Sequence, residues 1–236
     1  MRESLQQVVE SWLSYERELF FLLNGSDSIF LDNLMWSVTG RWVWIPLYCL
    51  VVLTIFWKTQ KKEALLVLLF LVVLVTICDQ FSASFTRPFF ERYRPAHHPE
   101  FAEFVQLVNN NKGGRYGFIS SHATNSFGFA VFLSLLFRHR WVTVVMLSWA
   151  LLKSYSRIYL GLHFITDFIG GVIAGVAIAV LLYYLFIFVQ QKIFGHTPKE
   201  KYLFYSKQHG NWLAAIAGGY LLFVVAFSGI IKSLPH

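Results

Sequence analysis

The stretch that decides the fold is residues 64–78, ALLVLLFLVVLVTIC, which is apolar throughout except for Thr76. A helix that crosses the hydrocarbon core of a bilayer needs about 20 mostly apolar residues, and the positions on either side of this run supply the remainder. Five further segments have comparable apolar character, so six spans are predicted, at roughly 41–57, 63–85, 121–137, 141–157, 163–189 and 212–231. The sequence therefore predicts an all-α, six-span transmembrane helix bundle, with residues 1–236 forming a single membrane-embedded domain.

The composition of the chain supports a membrane location. Hydrophobic residues make up 56% of the sequence, charged residues only 14%, and the mean hydropathy is +0.52. Soluble domains carry about 25% charged residues, so much of this surface is expected to face the lipid bilayer. The net charge of +7 follows from the basic loops that flank membrane spans. We therefore expect no nucleic-acid partner, and nothing in the sequence indicates an oligomeric state.

Residues 1–22 have an amphipathic pattern, with apolar side chains at positions 5, 8, 9, 12 and 13 and charged side chains opposite. The segment is too polar to span a membrane, and Asn24-Gly25 is expected to end it. Two arrangements fit this pattern equally well. The segment is either an interfacial amphipathic helix in the plane of the membrane surface or a helix packed on the extramembrane face of the bundle.

The distribution of basic residues predicts how the bundle is oriented. Total counts of Lys and Arg are similar at the two ends of the spans. The tight basic turns at 58–62 and 138–140 favour a cytoplasmic location for their own end, following the positive-inside rule. The opposite end of the bundle is then predicted to face the periplasm or the exterior.

Three polar clusters occur at that opposite end, each where a loop meets a predicted span. They are RPFFERYRP at 87–95, GFISSH at 117–122 and SRIYLGLHFITD at 156–167. Arg87, Arg94 and Arg157 contribute permanent charges with forked N–H donors, which suit a dianionic phosphate. A single arginine at a membrane interface is usually only an anchor. Three of them together with two histidines and an aspartate are costly at this position and favour a functional site.

The remaining polar residues of these clusters suggest how chemistry would proceed. Ser120 and Ser121 precede a helix, whose first free N–H groups form an anion site. His163 and Asp167 lie four residues apart, a spacing that places both on one helix face, where the carboxylate holds the imidazole in one tautomer. His122 supplies a second imidazole that can act as a general acid. The connection at 87–120 is long for a compact bundle, which is typical of an active-site loop.

These clusters resemble the motifs of the type 2 phosphatidic acid phosphatases. That family carries K-x6-R-P, P-S-G-H and S-R-x5-H-x3-D. Residues 87–95 are similar to the first motif, 119–122 to the second, and 156–167 match the third in full. The resemblance covers about residues 79–175 and extends to the whole chain in span pattern.

Three positions depart from the family pattern. Arg87 replaces a lysine, which keeps the charge but changes the geometry of the grip on phosphate. Ile119 replaces a proline, so that a rigid turn is lost. Ser121 replaces a glycine and keeps the backbone N–H.

The resemblance implies a mechanism and a substrate class. His163 would attack phosphorus to form a phosphohistidine, Asp167 would fix its ring, and His122 would protonate the leaving oxygen. Five residues would hold the phosphate oxygens, namely Arg87, Arg94, Ser120, Ser121 and Arg157. The family works without a metal or other cofactor. Its substrates are membrane lipid phosphates, and the sequence 113–118 resembles bacterial members, which implies the bacterial inner membrane and favours undecaprenyl diphosphate or a lipid A phosphate over phosphatidylglycerophosphate or phosphatidate.

Two questions stay open at this point. The arginine cluster could instead be the anion filter of a channel or transporter, although such proteins need several polar residues at the membrane midplane. Asp79 and Lys153 are charges within predicted spans, and a mutual ion pair is the favoured interpretation. His97 and His98 are assigned no role beyond a headgroup contact.

Overall fold

The computed structural model of the protein describes residues 2–195 and 205–233, so that residue 1 of the predicted N-terminal helix lies outside it. All regular secondary structure in these ranges is helical, which confirms the predicted all-α fold. The helices in chain order are α1 (Arg2–Ser11), α2 (Leu13–Leu23), α3 (Ile29–Thr39), α4 (Ile45–Phe56), α5 (Lys61–Gln80), α6 (Arg87–Phe90), α7 (Ser121–Phe137), α8 (Arg140–Tyr159), α9 (Ile165–Phe194), α10 (Lys207–Ala226) and α11 (Ser228–Ile231).

Three helical segments of the described residues are long and apolar enough to cross a membrane, namely Lys61–Phe90, Ile165–Phe194 and Lys207–Ala226. A fourth arises if α3 and the helical segment Trp42–Phe56, which are bent by 72° relative to each other, form one span. The other two predicted spans correspond to α7, which has 17 residues, and to the more polar α8. Both helices contribute the polar side chains described below, and this lowers their apolar character.

The helix boundaries differ from the predicted spans in two informative places. The predicted span at 41–57 omits α3, because Gly40-Arg41 interrupts the apolar pattern where the structure bends. The helix that contains the apolar run continues through a π-helical stretch, Phe81–Thr86, into α6. Arg87 therefore lies on the last helical turn and not in the loop that the sequence predicts from 87 to 120.

Helix α7 lies at the centre of the bundle, where it packs extensively against α8 and α9. The crossing with α9 is closest at Gly175, where an added Cβ would lie 2.3 Å from the carbonyl oxygen of Thr124. Small residues at such a crossing allow two helix backbones to touch. The start of α7 and the start of α9, which carry two of the polar clusters, are thereby fixed to each other.

The segment between α6 and α7 is fastened at several points and is not a flexible linker. Tyr93 and Tyr116 form an antiparallel bridge, and the Arg94 N–H donates to the Arg115 carbonyl at 3.0 Å. Farther along, the Asn24 side chain donates to the backbone carbonyls of Gln106 and Tyr159, at 3.0 and 2.8 Å. These bonds tie the segment to the end of α2 and to the end of α8.

The N-terminal segment packs on this same end of the bundle. Glu16 and Phe20 of α2 are buried, and the ring of Phe20 meets the ring of Phe164 edge-on at 5.3 Å. Of the two arrangements that the sequence leaves open, these contacts favour a helix packed on the extramembrane face of the bundle. The other side of the segment exposes Tyr15 and Leu22, which is compatible with a position at the bilayer surface.

Candidate active site

A cavity of about 590 Å³ lies at the end of the bundle where α3, α6, α7 and α8 meet. Six of the residues that the sequence singles out line it, namely Arg87, Arg94, Ser121, His122, Arg157 and His163. The two others, Ser120 and Asp167, are buried directly behind them. Residues separated by up to 76 positions in the chain therefore converge on one space.

Each of the three arginines that the sequence predicts is held by a neutral oxygen atom. An Nη of Arg87 donates to the Ser121 hydroxyl at 2.5 Å, and an Nη of Arg157 donates to the Thr39 hydroxyl at 2.6 Å. Arg94 Nε donates to the Tyr116 carbonyl at 3.0 Å. Neutral partners fix the direction of a guanidinium but leave its charge available to an anion.

The charge of these arginines is only partly compensated, because Asp79 and Asp167 act on Arg87 from beyond ion-pair distance. In the described ranges no carboxylate forms an ion pair with Arg87, Arg94 or Arg157. The Nε atoms of Arg87 and Arg157 are buried and have no hydrogen-bond partner there. Burial, followed by the charge of Arg87, lowers the pKa of Arg94 to about 10. Partly compensated cations that share one cavity are stabilised by a bound anion, and a phosphate supplies enough oxygen atoms for all three.

The start of α7 forms the floor of the cavity. Ser120 is the N-cap of this helix, since its hydroxyl accepts from the Ala123 N–H at 3.5 Å and its own N–H donates to the Asp167 carbonyl at 3.0 Å. The Ser120 hydroxyl is thus engaged by the helix rather than exposed to the cavity. His122, in the first turn of α7, lines the cavity and is the imidazole available to a reacting group there.

His163 and Asp167 form the buried pair that the motif predicts. The distance from His163 Nδ1 to Asp167 Oδ2 is 3.3 Å, and the two residues are 1% and 0% exposed. His163 precedes α9 by two residues, so their contact does not come from a shared helix face. It comes from the helix cap, because Asp167 Oδ2 also accepts from the Phe164 N–H at 3.0 Å. With Nδ1 facing the carboxylate, Nε2 is the nitrogen left for attack.

The surroundings of His163 keep its imidazole neutral. Burial, and then the positive charges of Arg94, Arg157 and Arg87, lower its pKa well below the ordinary value, while a hydrogen bond with the Gly117 backbone acts in the opposite sense. A neutral imidazole is nucleophilic, whereas an imidazolium is not. The same arginines that would bind a phosphate therefore also favour the neutral, nucleophilic form of His163.

Comparison with known proteins identifies the family. The model of the PAP2 superfamily matches residues 64–190, more than half of the chain. The chain belongs to the PAP2 superfamily.

Relatives of this PAP2 protein include lipid phosphatases. The chain is 39% identical to the lipid A 4'-phosphatase of Porphyromonas gingivalis over 187 residues, 79% of each chain. It is 32% identical to an undecaprenyl-diphosphatase of Sulfolobus acidocaldarius over 170 residues, 70% of this chain and 76% of the relative. The protein is therefore a membrane lipid phosphatase, and the channel or transporter alternative is set aside.

The fold also occurs among solved structures. The transmembrane PAP2-type phosphatidylglycerolphosphate phosphatase of Bacillus subtilis superimposes with a TM-score of 0.57, at 21% sequence identity over 81% of this chain and 93% of that one. At this level of identity the likeness shows a common helical fold and nothing about the substrate.

The structure of this PAP2 phosphatase also places residues whose roles the sequence leaves open. Lys153 lies on the cavity wall, with its Nζ 3.2 Å from the Tyr48 hydroxyl and 5.2 Å from the Trp149 ring. Asp79 lines the cavity and accepts from Asn125 at 3.4 Å. Among the described residues no ion pair joins Asp79 to Lys153, so the favoured interpretation of a mutual pair was wrong.

The two loop histidines lie outside the cavity. His97 Nε2 is 3.2 Å from the Gly113 carbonyl, and His98 stacks on Phe101 with ring centroids 4.0 Å apart. Neither is directed at the arginines. The described residues also contain no group of three or more His, Cys, Asp and Glu side chains that could hold a metal ion.

Sequence reasoning missed Thr39 and Arg41, which belong to the α3 end of the site. Thr39 is an ordinary residue at a helix end, and only the fold places it beside Arg157. Arg41 follows Gly40 at the bend, and it carries no motif that would separate it from an interfacial anchor. Prediction of either residue would have required knowledge of how α3 packs against α8.

A second, apolar groove of about 440 Å³ adjoins the site. It runs between α4, α5, α7 and α8, and most of its lining consists of aliphatic and aromatic side chains such as Val51, Leu71 and Phe129. Asn125, Ser126 and Lys153 line both spaces. A polar cavity therefore borders an apolar one along a wall of three residues.

Proposed function

We propose that this PAP2 phosphatase removes the 4'-phosphate of lipid A through a phosphohistidine intermediate. The observation that carries the proposal is a neutral, buried His163 faced by three arginines without carboxylate partners. The likeness to a lipid A 4'-phosphatase, at 39% identity over 79% of the chain, supports the substrate. Undecaprenyl diphosphate is the second candidate, supported by the 32% identical relative.

The proposed reaction proceeds in two steps. Nε2 of His163 attacks phosphorus while the bond from phosphorus to the sugar oxygen breaks, and His122 donates a proton to that oxygen. Asp167 holds the ring and stabilises the positive charge it gains. Water then attacks the phosphohistidine, with His122 accepting its proton, so that inorganic phosphate leaves and His163 returns to its neutral form.

Electrostatic stabilisation of the transferring group falls to the arginines. Arg87, Arg94 and Arg157 bind the equatorial oxygens as charge spreads over them. The Ser121 hydroxyl holds Arg87 in place, while Ser120 acts through the helix cap and the free N–H groups of the first turn of α7. No step calls for a metal ion.

The lipid part of the substrate would lie in the apolar groove. The groove borders the phosphate cavity at Asn125, Ser126 and Lys153, so a lipid chain there leaves the phosphate beside the arginines. We place the protein in the bacterial inner membrane as a six-span bundle, with the cavity facing the periplasm. The basic turns at 58–62 and 138–140 support this orientation.

The substrate assignment is tested with purified protein in detergent and a panel of lipid phosphates. The panel contains lipid A bearing both phosphates, undecaprenyl diphosphate, phosphatidylglycerophosphate and phosphatidate. We expect the highest kcat/KM with lipid A, and mass spectrometry of the product should show that the 1-phosphate is retained. Preferential loss of the 1-phosphate, or a higher kcat/KM with undecaprenyl diphosphate, would contradict the assignment.

The pH dependence of the reaction is expected to report the lowered pKa of His163. The nucleophile must be neutral, so activity falls as pH decreases through this pKa, and the acid limb of kcat/KM should lie below pH 6.5, the ordinary value for histidine. Arg94 is among the charges that lower the pKa, so Arg94→Gln should move this limb towards higher pH as well as reduce the rate.

Measurement of kcat/KM for both proteins on the same lipid phosphate checks this prediction, because any titration of the substrate itself then cancels. Two outcomes would contradict the assignment of the acid limb to His163. One is an acid limb at the same pH in Arg94→Gln and the unmodified protein, and the other is a limb above pH 6.5 in the unmodified protein.

A further inference from the structure

A chain of buried charges extends from His163 to the N-terminal segment. Asp167, which contacts His163 with one carboxylate oxygen, accepts from Arg92 with the other at 2.9 Å. The second Nη of Arg92 forms an ion pair with Glu16 of α2. Arg92 and Asp167 are 0% exposed and Glu16 is 5% exposed. The pairs thus connect the site to a helix far from it in sequence.

Glu16 also caps the helix that carries Asp167. Its Oε2 accepts from the Thr166 N–H, and its Oε1 accepts from the Thr166 hydroxyl, both at 2.7 Å. Arg92 Nη1 donates to the same hydroxyl at 2.5 Å. A carboxylate at a helix N-terminus satisfies free N–H groups and interacts favourably with the helix dipole. Glu16 therefore fixes the first turn of α9, where Asp167 lies.

Arg92 is held by both of its Nη atoms and by an aromatic ring. Beyond its two carboxylates, its guanidinium lies 4.6 Å from the centre of the Phe164 ring. Burial by itself would lower the pKa of Arg92, but Asp167 and Glu16 outweigh it and raise the pKa. The arginine stays charged and forms an ion pair with each of the two carboxylates.

Stability alone is a weak reason for such an arrangement. Replacing a buried ion pair with apolar residues is often neutral or stabilising, since desolvation offsets most of the attraction. What a buried ionic network does provide is a defined geometry. In this protein the geometry it defines is that of the carboxylate that holds the reacting imidazole.

We infer that Glu16 is a positioning residue of the phosphatase, which acts through Arg92 and the α9 cap to hold Asp167 and thereby orient His163. The inference rests on the proposed role of His163 as nucleophile. Glu16 lies outside residues 64–190, the part that matches the PAP2 model. The N-terminal helix would then be a component of the active site and not only a surface element.

The test compares Glu16→Gln with Glu18→Gln, which removes an exposed charge from the same helix. Glutamine keeps the shape of Glu16. However, both oxygens of Glu16 accept hydrogen bonds, and the N–H₂ group that replaces one of them would face a donor. Misplacement of a reacting group by about 1 Å costs on the order of 10²-fold. We expect kcat to fall about 10- to 100-fold in Glu16→Gln, with KM for the lipid phosphate changed by less than about threefold. Glu18→Gln should match the unmodified protein.

A double-variant measurement separates positioning from simple structural damage. In an Asp167→Asn background the residue through which Glu16 acts is already impaired, so adding Glu16→Gln should reduce kcat by less than about threefold. If Glu16→Gln lowers kcat by the same factor in the Asp167→Asn background as in the unmodified protein, the inference is overturned. An unchanged kcat in Glu16→Gln alone would also overturn it. If Glu16→Gln does not fold, Arg92→Lys provides the same comparison, since it keeps the charge but cannot bridge two carboxylates.

The outcome for His163 distinguishes the two proposals. Phosphate release that persists in His163→Ala would contradict the proposed mechanism itself. An inactive His163→Ala together with a fully active Glu16→Gln would contradict only the role of Glu16.

Discussion

Replacement of His163 with alanine is expected to reduce phosphate release by more than about 10⁴-fold, because loss of a nucleophile removes the covalent route altogether. Lipid binding should persist, since the three arginines and the apolar groove remain. His163 is buried but small, and the cap of α9 is formed by Asp167 and Phe164 rather than by the imidazole. The variant should therefore fold.

The covalent intermediate provides the direct readout. Brief exposure of the purified protein to a lipid labelled in its phosphate, followed by an alkaline quench, should leave label on the unmodified chain, because a phosphohistidine is stable to base and labile to acid. His163→Ala should retain none. His139→Ala is the matched control, since His139 lies at the opposite end of the bundle, just before α8. Full labelling of His163→Ala would exclude this residue as the nucleophile.

Loss of the Arg87 guanidinium is expected to have the second-largest effect. Removing one preorganised donor from a developing oxyanion costs about 10²- to 10³-fold in rate, and we expect kcat/KM of Arg87→Ala to fall within that range. Arg87→Lys should recover part of the loss, because the charge returns and the family motif has lysine at this position. Arg87→Lys should not restore the full activity, since lysine has no second N–H group to bind phosphate while the first donates to the Ser121 hydroxyl.

Arg115→Ala supplies the matched control for this measurement. Arg115 is exposed, lies over the rings of Tyr93 and Tyr116, and does not line the cavity. We expect its removal to change kcat/KM by no more than about threefold, as for other surface positions. Near-normal activity in Arg87→Ala, or a larger loss in Arg115→Ala, would transfer the phosphate-binding role to another residue.

The parts of the site that the sequence predicts are those that follow from local pattern. The His163–Asp167 spacing, the helix start at Ser121 and the three arginines each lie in a short motif, and the structure brings all of them to one cavity. The apolar run at 64–78 likewise predicts its helix from local composition. These features depend on residues only a few positions apart.

What the sequence leaves out depends on pairs that are distant along the chain. Glu16 and Arg92 are 76 residues apart, and Thr39 and Arg157 are 118 apart. Nothing near Glu16 distinguishes it from Glu18, since both are acidic positions of one amphipathic helix. The fold selects Glu16 because α2 turns that side chain towards α9. The bend after α3 was missed for a local reason, since Gly40-Arg41 interrupts the apolar pattern at that point.

The backbone contact between α7 and α9 at Gly175 has a mechanical consequence. His122 belongs to the first turn of α7 and His163 lies two residues before α9. Because the backbones of these helices touch at Gly175, we expect them to hold the two imidazoles at a fixed separation. The apolar groove, by contrast, is lined largely by α4 and α5, which contact α7 less extensively than α9 does. We therefore expect the separation of proton donor and nucleophile to stay constant while the α4 and α5 side of the groove adjusts to acyl chains of different bulk.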